Sequence, residues 1–122
     1  MMDKRRFPRF LSNLKAYFPG DHIAYQVTNL SWKGLFISTE KNFPKDKRLI
    51  FLELELPDIG KIPIYGYIVH YGTPEEPGIG VEIVEIDQNL TPVWSIFIKT
   101  LNLLQEARTE YEKIKSQQKS EK

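Results

Sequence analysis

Arg5 and Arg9, four residues apart in Asp3-Lys-Arg-Arg-Phe-Pro-Arg-Phe10, precede a second short run, Asn29-Leu-Ser-Trp-Lys-Gly34. A guanidinium is a planar fork of N–H donors. It can grip phosphate oxygens bidentately, bond the O6 and N7 edge of guanine, or stack on the face of the base. Asn29, Ser31 and Gly34 supply what arginine lacks. The Asn29 carboxamide oxygen can accept from guanine N1–H or N2–H, the Ser31 hydroxyl can donate to phosphate or base, and Gly34 lets backbone come close, with φ > 0 where needed. Read as one site, the two runs describe a pocket for a guanine nucleotide with two phosphates. Each alone has a plainer reading. Arg-x-x-x-Arg occurs in any solvated basic arm, and Asn-x-Ser-x-x-Gly is an ordinary turn between strands.

Such a site needs a scaffold, and the rest of the chain reads as an arm, six strand-like segments and one long helix. Segments 12–18 and 22–29 are separated by Pro19-Gly20-Asp21, a hairpin turn signal, and 35–39 forms a third short strand. Within 49–56, Leu52, Leu54 and Leu56 alternate with Glu53 and Glu55, and Pro57-Asp58-Ile59-Gly60 ends the run. In 62–71 one face carries Ile62, Ile64, Gly66, Ile68 and His70, the other Pro63, Tyr65, Tyr67, Val69 and Tyr71. The pattern does not decide which is core; barrel packing is the expectation for His70. After the Thr73 to Gly78 loop, Val81, Ile83 and Glu85 alternate with Glu82, Val84 and Ile86. Strands and turns at this spacing favour a closed antiparallel barrel.

The helix is expected to start with Thr91 as its cap and Pro92 at its first position, and to run to about Lys115. Val93, Phe97, Thr100, Leu104, Ala107, Tyr111 and Ile114 recur as a heptad seam. Trp94, Ile98 and Leu101 widen the apolar surface of the first half, which is expected to pack on the barrel. At ~1.5 Å per residue the helix reaches ~36 Å, against ~25 Å of docking surface on a small barrel, so about one-third should overhang. The overhang is expected to self-associate or to dock on a partner helix. The chain thus divides into a flexible N-terminal arm at 1–11, a barrel with its docked helix at 12–104, and a helix extension and polar tail at 105–122.

With 122 residues, 41% of them hydrophobic, the chain has room for one core. A formal net charge of +1 argues against a general nucleic-acid binder. Positive charge is local instead: Lys4, Arg5, Arg6 and Arg9 crowd the first ten residues. Zero cysteines remove disulfides, thiolate metal sites and cysteine nucleophiles, and two histidines make a structural zinc site a poor fit. No catalytic constellation and no metal site is visible. The basic N-terminus lacks the apolar stretch of a signal peptide, and no apolar run reaches the ~18 residues of a membrane span. A cytoplasmic protein is expected.

In order and setting, the two motifs resemble those of the PilZ domain family, which pairs Arg-x-x-x-Arg on an N-terminal loop with Asp/Asn-x-Ser-x-x-Gly on a barrel. Gly34-Leu-Phe-Ile-Ser-Thr39 is similar to the strand that follows the second motif, and Gly78-Ile-Gly-Val-Glu-Ile83 to the last strand before the family's C-terminal helix. The resemblance covers roughly residues 4 to 104. It implies a mainly β fold, a six-stranded antiparallel PilZ-type barrel with a long C-terminal helix. It also implies a non-enzymatic bacterial receptor for the second messenger cyclic di-GMP, with no cofactor. The binding residues would be Arg5, Arg9, Asn29, Ser31 and Gly34, with Lys4, Arg6 and Trp32 as further candidates. Ordering of the arm by ligand would relay the signal to an effector protein of motility, pilus or exopolysaccharide machinery. Asn29 stands where Asp is frequent in the family. The competing reading is a PilZ-like protein-interaction module that binds no nucleotide.

Overall fold

A computed structural model describes residues 10–41, 43 and 48–120. Six antiparallel strands, β1 (Phe10–Tyr17), β2 (Tyr25–Leu30), β3 (Gly34–Ser38), β4 (Leu49–Leu56), β5 (Gly60–Tyr71) and β6 (Gly78–Ile86), precede the helix α1 (Thr91–Ser120). The strands close in the order β1-β2-β3-β6-β5-β4, with β1 pairing β4 to complete the barrel. Closure leaves no open sheet edge. The expected expanse of arm, 1–11, lies outside the described residues up to residue 9.

Pairing between β4 and β5 resolves which face of β5 is core. Leu52 sits opposite Ile64 and Leu54 opposite Ile62, so the isoleucine face of β5 must turn the same way as the leucine face of β4. Leu52, Leu54, Ile62, Ile64 and Ile68 are all buried, while Tyr65 and Tyr67 stand outside. Around them Val27, Leu30, Leu35, Ile37, Ile79 and Val81 fill the barrel.

The strands depart from strict alternation at bulges that include one on β2 and one near the end of β5. On β2, Val27 pairs with Ile37 but Asn29 pairs with Phe36, leaving Thr28 as an extra residue. On β5, Ile68 pairs with Val81 but His70 pairs with Gly80, leaving Val69 extra. One added residue moves everything beyond it to the other face. Val27 and Leu30 therefore both point inward, and Asn29 is carried outward with its side chain half-buried. Likewise Ile68 and Tyr71 pack on the core while Val69 and His70 are exposed.

The helix begins earlier than its sequence signal implies. Asp87 caps a short 3-10 turn, its carboxylate accepting from the Asn89 N–H at 2.8 Å, and that turn runs straight into α1. Thr91 is thus the first residue of α1 and not its cap; its hydroxyl donates to the Asp87 carbonyl at 3.2 Å. The docked side of α1 takes in the widening line and the start of the heptad seam: Trp94 and Ile98 are buried and Val93, Phe97 and Leu101 are half-buried against the core, whereas the seam from Thr100 and Leu104 onward is exposed. Residues 102–118 are exposed throughout, a longer overhang than the helix-length argument gives.

Candidate functional site

A groove of about 830 Å³ opens on the outer surface where the β2–β3 turn meets β6 and the end of β5, and its lining includes Asn29, Ser31, Lys33, Gly34, His70 and Gly80. The turn itself is built by Ser31 and Gly34. The Ser31 N–H donates to the Gly34 carbonyl at 2.8 Å, and the Gly34 N–H donates to the Ser31 hydroxyl at 3.1 Å. Ser31 is buried at 5% exposure, so its hydroxyl is a fixed part of the turn as well as of the groove wall. The Lys33 carbonyl accepts from the Ile83 N–H at 2.7 Å, stapling the turn to β6.

Gly34 is favoured by close approach and not by a left-handed backbone. A Cβ there would meet the Val81 carbonyl oxygen at 3.1 Å. Gly80 has a different use. It lies opposite both Phe36 and His70 in the two ladders it joins, and a Cβ there would meet the His70 Cβ at 3.1 Å. Without a side chain it leaves the groove floor open between the two rings, whose centroids are 6.2 Å apart. Phe36 and His70, tilted 48° to each other, give this floor a partly aromatic character against which a planar base can pack.

The bulges at Thr28 and Val69 are the devices that deliver Asn29 and His70 to this surface. Sequence alternation assigns His70 to the isoleucine face of its strand, and the bulge reverses that assignment. Lys33, Phe36, Thr73, Glu76 and Glu82 also line the groove and are not singled out by the sequence motifs. Trp32 is half-buried and packs against the core, and its carbonyl accepts from the Trp94 indole N–H at 3.2 Å. The turn is thereby tied to α1. Lys4, Arg5, Arg6 and Arg9 lie outside the described residues. The charged groups of the described lining are Lys33 against Glu76 and Glu82, so this part of the groove carries no surplus of positive charge. Among the described residues no cluster of acidic, histidine or cysteine side chains could hold a metal ion, and no helix is long and apolar enough to cross a membrane.

The profile of the PilZ domain family matches residues 3–91. Among solved structures, the inhibitor of motility MotI/DgrA of Bacillus subtilis superposes with a TM-score of 0.67 at 15% identity, covering 84% of this chain and 52% of that one. YcgR of Escherichia coli, solved in complex with c-di-GMP, gives 0.66 at 13% identity over 93% of this chain and 51% of that one. This chain therefore spans about half the length of those two proteins. The isolated PilZ domain of YcgR with c-di-GMP gives 0.60 at 13% identity, covering 91% of this chain and 99% of that domain. No curated protein sequence matches this one.

Proposed function

Since this chain belongs to the PilZ domain family, we propose that it is a non-enzymatic receptor for cyclic di-GMP that uses both of its motifs. The observation that carries this reading is the groove at the Asn29–Gly34 turn together with the course of β1. Phe10 pairs with Leu30 and Leu11 with Asn29, so the chain that bears Arg5 and Arg9 enters the barrel alongside the second motif. Arg9 is the residue before Phe10 and cannot be more than one Cα step of ~3.8 Å from it. The described groove wall lacks surplus positive charge, so a ligand with two phosphates must draw its counter-charge from elsewhere. In this reading Arg5 and Arg9, with Lys4 and Arg6 beside them in sequence, supply it together with Lys33 of the lining.

In this reading the arginines take the phosphates and the Hoogsteen edge of guanine, and Asn29 accepts from the Watson–Crick edge. Ser31 and Gly34 hold the turn in shape, and a base lies over Phe36 and His70. Neutralising the clustered cations holds the N-terminal segment across the groove, and this change of surface is what an effector protein reads. Trp32 serves the site from behind, by joining the turn to Trp94 of α1. The effector belongs to motility, pilus or exopolysaccharide machinery, in line with the likeness to an inhibitor of motility.

Two binding series test the geometry. Asn29→Asp should keep or improve affinity, because a carboxylate accepts from both N1–H and N2–H, and Asn29→Ala should weaken it. Equal affinities for all three proteins at fixed salt would mean that residue 29 does not face the base. Gly80→Val would put a branched side chain on the groove floor between Phe36 and His70. Titration should then show at least a ~10-fold loss of affinity, about 1.4 kcal/mol, with the β-rich circular dichroism spectrum preserved. Unchanged binding in a folded Gly80→Val protein would move the base away from this floor.

A further inference from the structure

The second half of α1 carries an apolar line that the barrel leaves uncovered. Leu104, Tyr111 and Ile114 are 54%, 59% and 50% exposed, and Leu103 and Ile96, each at 65%, continue the uncovered surface back beside the barrel. Barrel docking uses another side of the helix. At about 100° per residue, Trp94, Ile98 and Leu101 centre roughly a third of a turn away from the line through Thr100, Leu104, Ala107, Tyr111 and Ile114. The helix has one face for its own barrel and a second face that no described residue covers.

We propose that this second face pairs with the same face of another copy of the chain, in a parallel two-fold helix pair. The 4-3-4-3 spacing from Thr100 to Ile114 is that of a two-stranded seam. The flanking charges select both the occupant and the direction. Glu110 lies just before the seam residue Tyr111 on one side, and Arg108 and Lys115 lie just after Ala107 and Ile114 on the other. In a parallel pair the residue before one core position meets the residue five further on in the second helix, so Glu110 faces Lys115 of the second copy, twice by symmetry. An antiparallel pair would set the Arg108 and Lys115 flanks against each other.

Nothing in the single chain opposes the exchange. Glu110 meets Lys113 at 3.4 Å with both side chains about two-thirds exposed (68% and 66%), an ion pair that contributes little in water. The Lys115 ammonium lies 5.6 Å from the Tyr111 ring centre, beside the seam. Because each barrel docks about a third of a turn from the seam in the same rotational sense, the two-fold axis puts the two barrels on opposite sides of the pair. The other uncovered apolar face, around Leu49, Tyr65, Tyr67 and Val69 on the barrel, is flanked by Glu82 and Glu85 opposite Tyr67 and Tyr65. A contact between that face and α1 would set those glutamates beside the helix and would not use the spacing of its seam.

Sedimentation equilibrium of the full chain, without ligand, tests the proposal. At about 100 µM, well above a micromolar dissociation constant, the mass should be close to twice the 14.3 kDa of one chain. Glu110→Lys and Lys115→Glu should each weaken the dimer about tenfold, and the two together should restore it, as expected for a specific interhelical charge pair. Tyr111→Glu should give a monomer. These positions are exposed, so each variant should keep the helical and β signals of the parent in circular dichroism. A monomeric full chain at that concentration overturns the proposal, as does a dimer indifferent to Glu110→Lys, a double swap that fails to restore it, or an assembly that survives Tyr111→Glu.

Discussion

Replacing Arg5 and Arg9 together by alanine is expected to remove measurable binding of cyclic di-GMP while leaving the barrel folded. In the proposed reading each arginine would contribute charge-assisted hydrogen bonds, and losing one should cost ~1.5–3 kcal/mol, or about ten- to a hundredfold in affinity. Both lie before the first barrel strand, so the melting temperature should barely move. Arg6→Ala should do less, since it falls outside the Arg-x-x-x-Arg spacing. If Arg6→Ala were the more damaging single change, the register of the arm on the ligand would be wrong. If the double mutant bound as well as the parent, the assignment of this segment to the site would fail.

Trp94→Ala is expected to have the largest effect on stability. The side chain is 2% exposed, fills the junction between α1 and the barrel, and donates its indole N–H to the Trp32 carbonyl. Emptying such a site costs about 3–5 kcal/mol, a large share of the stability of a domain this size. Trp94→Phe separates packing from the hydrogen bond. It should lose about 1–2 kcal/mol, and if α1 braces the 31–34 turn it should also weaken ligand binding several-fold. Thermal melts and titrations of the two variants give both readouts. A Trp94→Ala protein that melts with the parent would mean that α1 adds nothing to the barrel.

Much of this architecture is legible in the residues. The leucine–glutamate alternation of β4 reads directly as one buried and one solvated face, and the Pro-Gly-Asp and Pro-Asp-Ile-Gly runs mark turns between strands. The Arg-x-x-x-Arg and Asn-x-Ser-x-x-Gly runs stand out by residue type and spacing, and the family profile spans both. Other features depend on pairing and cannot be read from one strand at a time. Which face of β5 is core is decided by Leu52 and Leu54 across the ladder. The outward turn of Asn29 and His70 depends on single extra residues at Thr28 and Val69, and a bulge leaves no mark in a pattern of period two. Gly80 reads as one more strand glycine until Phe36 and His70 are seen on either side of it. On the helix, Thr91-Pro92 looks like a start signal, but Asp87 caps the preceding turn. The seam that is most regular in sequence docks only through Val93 and Phe97, beside the buried Trp94 and Ile98, and is exposed from Thr100 onward.

The central claim is that the groove at Asn29–Gly34 and the arginine segment together bind cyclic di-GMP. Isothermal titration of the full chain with cyclic di-GMP, with GTP and a short RNA as controls, tests it most directly. The account predicts saturable binding of cyclic di-GMP with little or no response to the controls, abolished by the Arg5→Ala, Arg9→Ala double mutant. A folded protein that gives no saturable response to cyclic di-GMP, or that responds equally to GTP or RNA, would contradict it and leave a PilZ barrel that recognises another protein.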